Sequence, residues 1–123
     1  MPIARVLVVD DEPQIVAVLA ELLAELGYAP RSAMTGPEAL RLAAEFQPDA
    51  VLLDLALPDM RGEVVLQQLR RTNPHLPVIM VTGNDDPELA RRTLAQGAFD
   101  YVAKPFTLSR LQQVLEAALA YRG

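Results

Sequence analysis

The chain has 123 residues, 51% of them apolar, and a formal charge of −5; that is enough for one well-packed domain and too little for two. The absence of cysteine excludes disulfides, thiolate chemistry and cysteine zinc sites, and the acidic balance argues against nucleic-acid binding by this chain. No apolar run is long enough to cross a bilayer and no secretory leader is evident, so a cytoplasmic protein with no membrane partner is expected.

Strand and helix patterns alternate five times along the chain, the signature of a βα-repeating sheet covered on both faces. Strands are expected near 3–9, 28–33, 50–54, 77–82 and 99–103. Pro13 opens the first helix, with Ile15, Leu19, Leu22, Leu23 and Leu26 on one face, and Gly27 suits its C-terminal turn. The second strand contains Pro30, which places it at an edge, and Pro37 marks the start of the next helix. The strands ending at Asp54 and Thr82 are unbroken aliphatic runs, as expected of parallel strands buried on both sides. Arg70-Arg71 and Arg91-Arg92 read as solvated helix faces, and His75, between Pro74 and Pro77, as a surface loop residue. Pro87 opens the fourth helix, with Leu89 and Leu94 as its apolar anchors and Gly97 at its end. Thr107 is placed to cap the fifth helix, whose apolar face is Leu108, Leu111, Leu115, Ala118 and Leu119.

Four strands end on groups suited to phosphoryl chemistry: Asp10-Asp11, Asp54, Thr82 and Lys104, the last being the only lysine in the chain. Parallel strands present their carboxyl ends along one edge, so these groups are expected to converge on a single crevice. A Gly-rich phosphate loop is absent, and Asp10-Asp11-Glu12-Pro13 would repel a cofactor phosphate, which argues against a nucleotide or flavin site.

The segments VLVVDDE, VLLDLALPDMRG, VIMVTGN and AFDYVAKPF, in that order, resemble the receiver domain of two-component response regulators, and the resemblance covers residues 3–121. It implies a doubly wound α/β fold of flavodoxin-like topology: five parallel strands in the order 2-1-3-4-5, helices on both faces, and a single receiver domain over 1–123 with no effector domain in this chain. It further implies that Asp54 accepts a phosphoryl group from a histidine kinase, a phosphotransfer protein or a small phosphodonor. Magnesium is the implied cofactor, held by Asp11, Asp54 and the backbone carbonyl of Ala56, with Asp10 acting through water.

Lys104 is implied to neutralise a phosphoryl oxygen, aimed by a cis peptide to Pro105, and Thr82 and Tyr101 to carry the switch. The output partner, or a second copy, is expected on a face spanning residues 86–121, to which Arg110 and Gln113 contribute. Asn84 and Ala56 flank the crevice, Asp59 and Met60 fall in a loop that varies, and Arg61 stands where many relatives carry an acid. Two other readings are a magnesium-dependent phosphohydrolase acting on external substrates and a receiver-like scaffold that works without phosphorylation. A receiver is no enzyme in that sense, since it catalyses only its own phosphorylation and dephosphorylation.

Overall fold

The computed structural model describes residues 3–83 and 87–122. Asn84, flanking the expected crevice, lies outside them. The elements alternate as β1 (Arg5–Val9), α1 (Pro13–Glu25), β2 (Ala29–Ala33), α2 (Gly36–Phe46), β3 (Ala50–Asp54), α3 (Gly62–Thr72), β4 (Val78–Thr82), α4 (Pro87–Ala95), β5 (Asp100–Ala103) and α5 (Leu108–Arg122). All five strands are parallel and lie in the order 2-1-3-4-5. Pro30 therefore sits on an edge strand, where one side of the backbone needs no sheet partner.

Alternation along each strand divides the core in two. Leu7, Val9, Val51, Leu53, Val78 and Met80 face α2 and α3, meeting Leu42, Val65, Leu66 and Leu69. Val6, Val8, Leu52, Ile79, Val81 and Val102 face α1 and α5, meeting Leu19, Leu23, Leu111 and Leu115. Every residue of β3 and β4 is buried, as the unbroken aliphatic runs require.

The helix boundaries follow local chemistry. Thr35 caps α2 by accepting from the Glu38 N–H, and Thr107 caps α5 by accepting from the Arg110 N–H at 3.0 Å. Gly27 and Gly97 take φ of +91° and +104° after α1 and α4, the left-handed turn expected of them.

Two apolar assignments are corrected. Leu94 is 43% exposed and Leu108 is 40% exposed, so neither anchors its helix. Thr93 is the fully buried residue of α4, its hydroxyl donating to the Ala90 carbonyl at 3.0 Å, and Val114 takes the core place on α5. Arg92 is also more than a solvated side chain. It makes a two-pronged ion pair with Glu63 of α3, Nε–Oε2 2.9 Å and Nη2–Oε1 3.1 Å.

Candidate functional site

Strand register brings the polar ends together. Asp54, the last residue of β3, is level with Val81 of β4, and Thr82 is level with Ala103, the residue before Lys104. Val9 is level with Leu53, so Asp10 follows β1 beside Asp54. The Lys104 N–H donates to the Thr82 carbonyl at 2.6 Å, and the Lys104–Pro105 peptide is cis.

One carboxylate oxygen from each of Asp10, Asp11 and Asp54 lies within 4.8 Å of the others. Asp10 and Asp54 are buried, while Asp11 is half-exposed at the mouth. Lys104 Nζ lies 2.7 Å from Asp10 Oδ2 and 3.7 Å from Asp54 Oδ2. The other oxygen of Asp10 accepts from the Glu12 N–H at 3.0 Å. Both Asp10 oxygens are thus engaged by the protein. Asp54 Oδ1 accepts from the Ala56 N–H at 3.2 Å, which folds the chain back over the carboxylate.

Burial pushes the Asp54 carboxyl above its ordinary value; the Ala56 N–H and Lys104 oppose the rise, and Asp10 and Asp11 add to it. Burial alone would lower Lys104, but its hydrogen bond to Asp10 and the charges of Asp54 and Asp10 outweigh that, so its ammonium is held above the usual lysine value. The lysine is a fixed cation in a site with more negative than positive charge.

Oxygen donors grouped this way suit a hard divalent cation, magnesium in particular, which takes one or two carboxylates and keeps several waters. The three carboxylates brought together here, of Asp10, Asp11 and Asp54, are groups that could hold it. Tyr101, on β5, is partly buried against the α2–α3 side of the core. Next to the end of β3, a cavity of about 310 Å³ is lined by Ala56, Thr82, Arg61, Glu63 and Arg92. The Glu63–Arg92 pair at this mouth joins residues 29 apart, and no local pattern in the sequence announces it. His75 is exposed in the loop before β4, at the opposite edge of the sheet from Asp54. Among the described residues no helix is long and apolar enough to cross a membrane.

A family model described as the response regulator receiver domain matches residues 6–116. The regulatory protein AtoC of Escherichia coli (strain K12) is 39% identical over 117 residues, which are 95% of this chain and 25% of that protein. The transcriptional regulatory protein KdpE of Mycobacterium tuberculosis is 46% identical over 114 residues, 93% of this chain and 50% of its own length. The chain thus spans a quarter to a half of these curated relatives.

Among solved structures, the receiver domain of NtrX from Brucella abortus superposes with a TM-score of 0.90 at 35% identity, covering 94% of this chain and 98% of that one. A CheY-like response regulator receiver domain protein from Methanospirillum hungatei gives a TM-score of 0.93 at 30% identity, covering 98% of this chain and 97% of its own. Receiver domains are phosphoacceptor signalling modules of two-component systems, and they generally bind magnesium at an acidic cluster. By the match of its sequence, strand order and acidic crevice, this chain belongs to the response regulator receiver domain family.

Proposed function

We propose that Asp54 accepts a phosphoryl group from a histidine kinase, a phosphotransfer protein or a small acyl phosphate, and that the resulting charge is relayed to a partner-binding face. The observation that carries this reading is the convergence of Asp10, Asp11 and Asp54 within 4.8 Å, with Lys104 between Asp10 and Asp54. One oxygen of Asp54 attacks phosphorus; the bond from phosphorus to the donor's nitrogen or oxygen breaks, and its electron pair leaves with the donor. The proximity of Lys104 suits it to neutralise a phosphoryl oxygen as charge spreads.

Magnesium, held by Asp11, Asp54 and the Ala56 carbonyl, would offset the repulsion between the carboxylates and the incoming phosphate. Asp10, with both oxygens engaged by Lys104 and the Glu12 N–H, suits an outer role. Thr82 is buried at the end of β4 and Tyr101 lies on the neighbouring strand; in this reading the threonine hydroxyl meets the new phosphoryl group and the aromatic ring follows it. The exposed Leu94 and Leu108 put apolar side chains on the described part of the 86–121 face, which suits docking of an output partner or a second copy.

The test is intact-mass measurement after incubation with acetyl phosphate and magnesium. Wild type is expected to gain one phosphate, and neither Asp54→Asn nor wild type with excess chelator to gain any. Equal labelling of Asp54→Asn removes the acceptor assignment. Continuous turnover of acetyl phosphate far beyond one per chain, with no retained phosphate, would favour the phosphohydrolase reading.

A further inference from the structure

The loop between β3 and α3 carries Ala56, and its geometry is fixed at more places than a surface loop requires. Leu55 and Leu57, on either side of the exposed Ala56, are partly buried and pack on the α2–α3 side of the core, and Met60 is a third such peg. The loop closes where the Gly62 N–H donates to the Leu55 carbonyl at 3.1 Å. A Cβ on Gly62 would lie 2.6 Å from the Asp54 carbonyl oxygen, so only glycine lets the loop's end rest on its beginning.

The third peg reaches a different helix. Gly36, the first residue of α2, has no side chain, and a Cβ there would stand 2.7 Å from Met60 Cβ and 2.8 Å from Met60 Sδ. Met60 therefore lies directly on the bare backbone of Gly36. Asp59 Oδ1 accepts from the Gly36 N–H at 3.4 Å beside it.

We propose that Gly36 and Met60 are positioning residues for the magnesium site: their contact clamps the β3–α3 loop to α2 and so fixes the Ala56 carbonyl where a cation between Asp11 and Asp54 can use it. This rests on the metal-binding reading above. Magnesium demands oxygens at about 2.0–2.1 Å in a near-ideal octahedron, so a loop displaced by a fraction of an ångström loses a ligand rather than adapting. Carbon atoms pack best at about 3.5–4.0 Å, so a methyl on Gly36 must push the rigid Met60 Cβ, and the loop with it, by roughly 1 Å. A lost thioether does the reverse and leaves the loop unclamped.

Calorimetric titration with magnesium chloride tests this on Gly36→Ala, Met60→Ala, Met60→Leu and Val114→Ala. Val114→Ala, on the opposite face of the sheet, serves as a destabilised control. Gly36→Ala and Met60→Ala are expected to bind magnesium about tenfold more weakly, as loss of groups that orient metal ligands does. Met60→Leu, which refills the contact, and Val114→Ala are expected to stay within about twofold of wild type, a change too small to count as a lost clamp.

Phosphorylation by acetyl phosphate should slow in Gly36→Ala and Met60→Ala at limiting magnesium and recover when magnesium is saturating, a split that simple loss of stability does not produce. If Gly36→Ala does not fold, Met60→Ala carries the test alone. Unchanged affinity in Met60→Ala, or an equal loss in Val114→Ala, overturns the clamp. A wild type that binds no magnesium overturns the metal-binding reading itself, which distinguishes the two failures.

Discussion

Helices α3 and α4 follow successive strands and both border the acceptor crevice, yet they are held by different forces. α3 buries Gly62, Val65, Leu66 and Leu69, while α4, two residues shorter, fully buries only Thr93. What α4 lacks in apolar anchors it replaces with a polar one: Arg92 grips Glu63 of α3 through two hydrogen bonds. Leucine packing is local, dense and insensitive to small charges nearby. An ion pair at the mouth of a phosphate-accepting crevice feels every charge placed there. The contrast separates a wall held by dense apolar packing, on which β3 and its loop are built, from a wall held by an ion pair.

The sharpest way to break this comparison is to truncate one large residue on each helix. Leu66→Ala removes a fully buried side chain and should cost about 2–5 kcal/mol of unfolding free energy. Leu94→Ala, on an exposed face, should stay within about 0.5 kcal/mol of wild type. Denaturant unfolding of both variants measures the difference, and comparable losses would make α4 as firmly anchored as α3. A smaller effect is expected at Thr93. Thr93→Ala should cost about 1 kcal/mol for its buried methyl, whereas Thr93→Val should be close to neutral, because the hydroxyl only bonds back to its own helix. A large loss in Thr93→Val would mean that the hydroxyl, not the methyl, is the anchor.

The fold was legible because β1, β3 and β4 are short apolar runs that stop at polar residues, and every helix but α3 begins with a proline or a capping hydroxyl. The convergence of Asp10, Asp11, Asp54 and Lys104 was legible for the same reason, since register then aligns the strand ends. Leu94 was misread because it is conspicuous. The buried phase of α4 passes through Thr93, whose methyl does the work a leucine was expected to do. Leu108 sits in the first turn of α5, before the helix reaches the sheet, where apolar periodicity overstates burial. Met60 on Gly36 and Arg92 on Glu63 are contacts between segments far apart in the chain. Neither a loop methionine nor an arginine pair carries a local pattern that names its partner.

The finest test of the contrast is the Glu63–Arg92 pair itself. Its Glu63 side chain is 13% exposed and that of Arg92 47%, so solvent screens the pair from one side, and a double-mutant cycle with Glu63→Gln and Arg92→Gln should give about 0.5–1 kcal/mol of coupling. The hydrogen bond from Arg92, aided by the charges of Arg92 and Arg61, holds the Glu63 carboxyl below its ordinary value although burial opposes the shift. A carboxyl lowered in the folded state binds fewer protons there than in the unfolded chain. Its contribution is therefore complete above the ordinary glutamate value of about 4.3 and fades as pH falls through the lower, folded value. The stability difference between wild type and Glu63→Gln should accordingly be constant from pH 8 down to about pH 5 and shrink below it. Raised salt should reduce it at neutral pH. A difference that persists unchanged at low pH would mean that Glu63 holds α4 by packing rather than by charge. The second wall of the crevice would then be as indifferent to phosphate as the first.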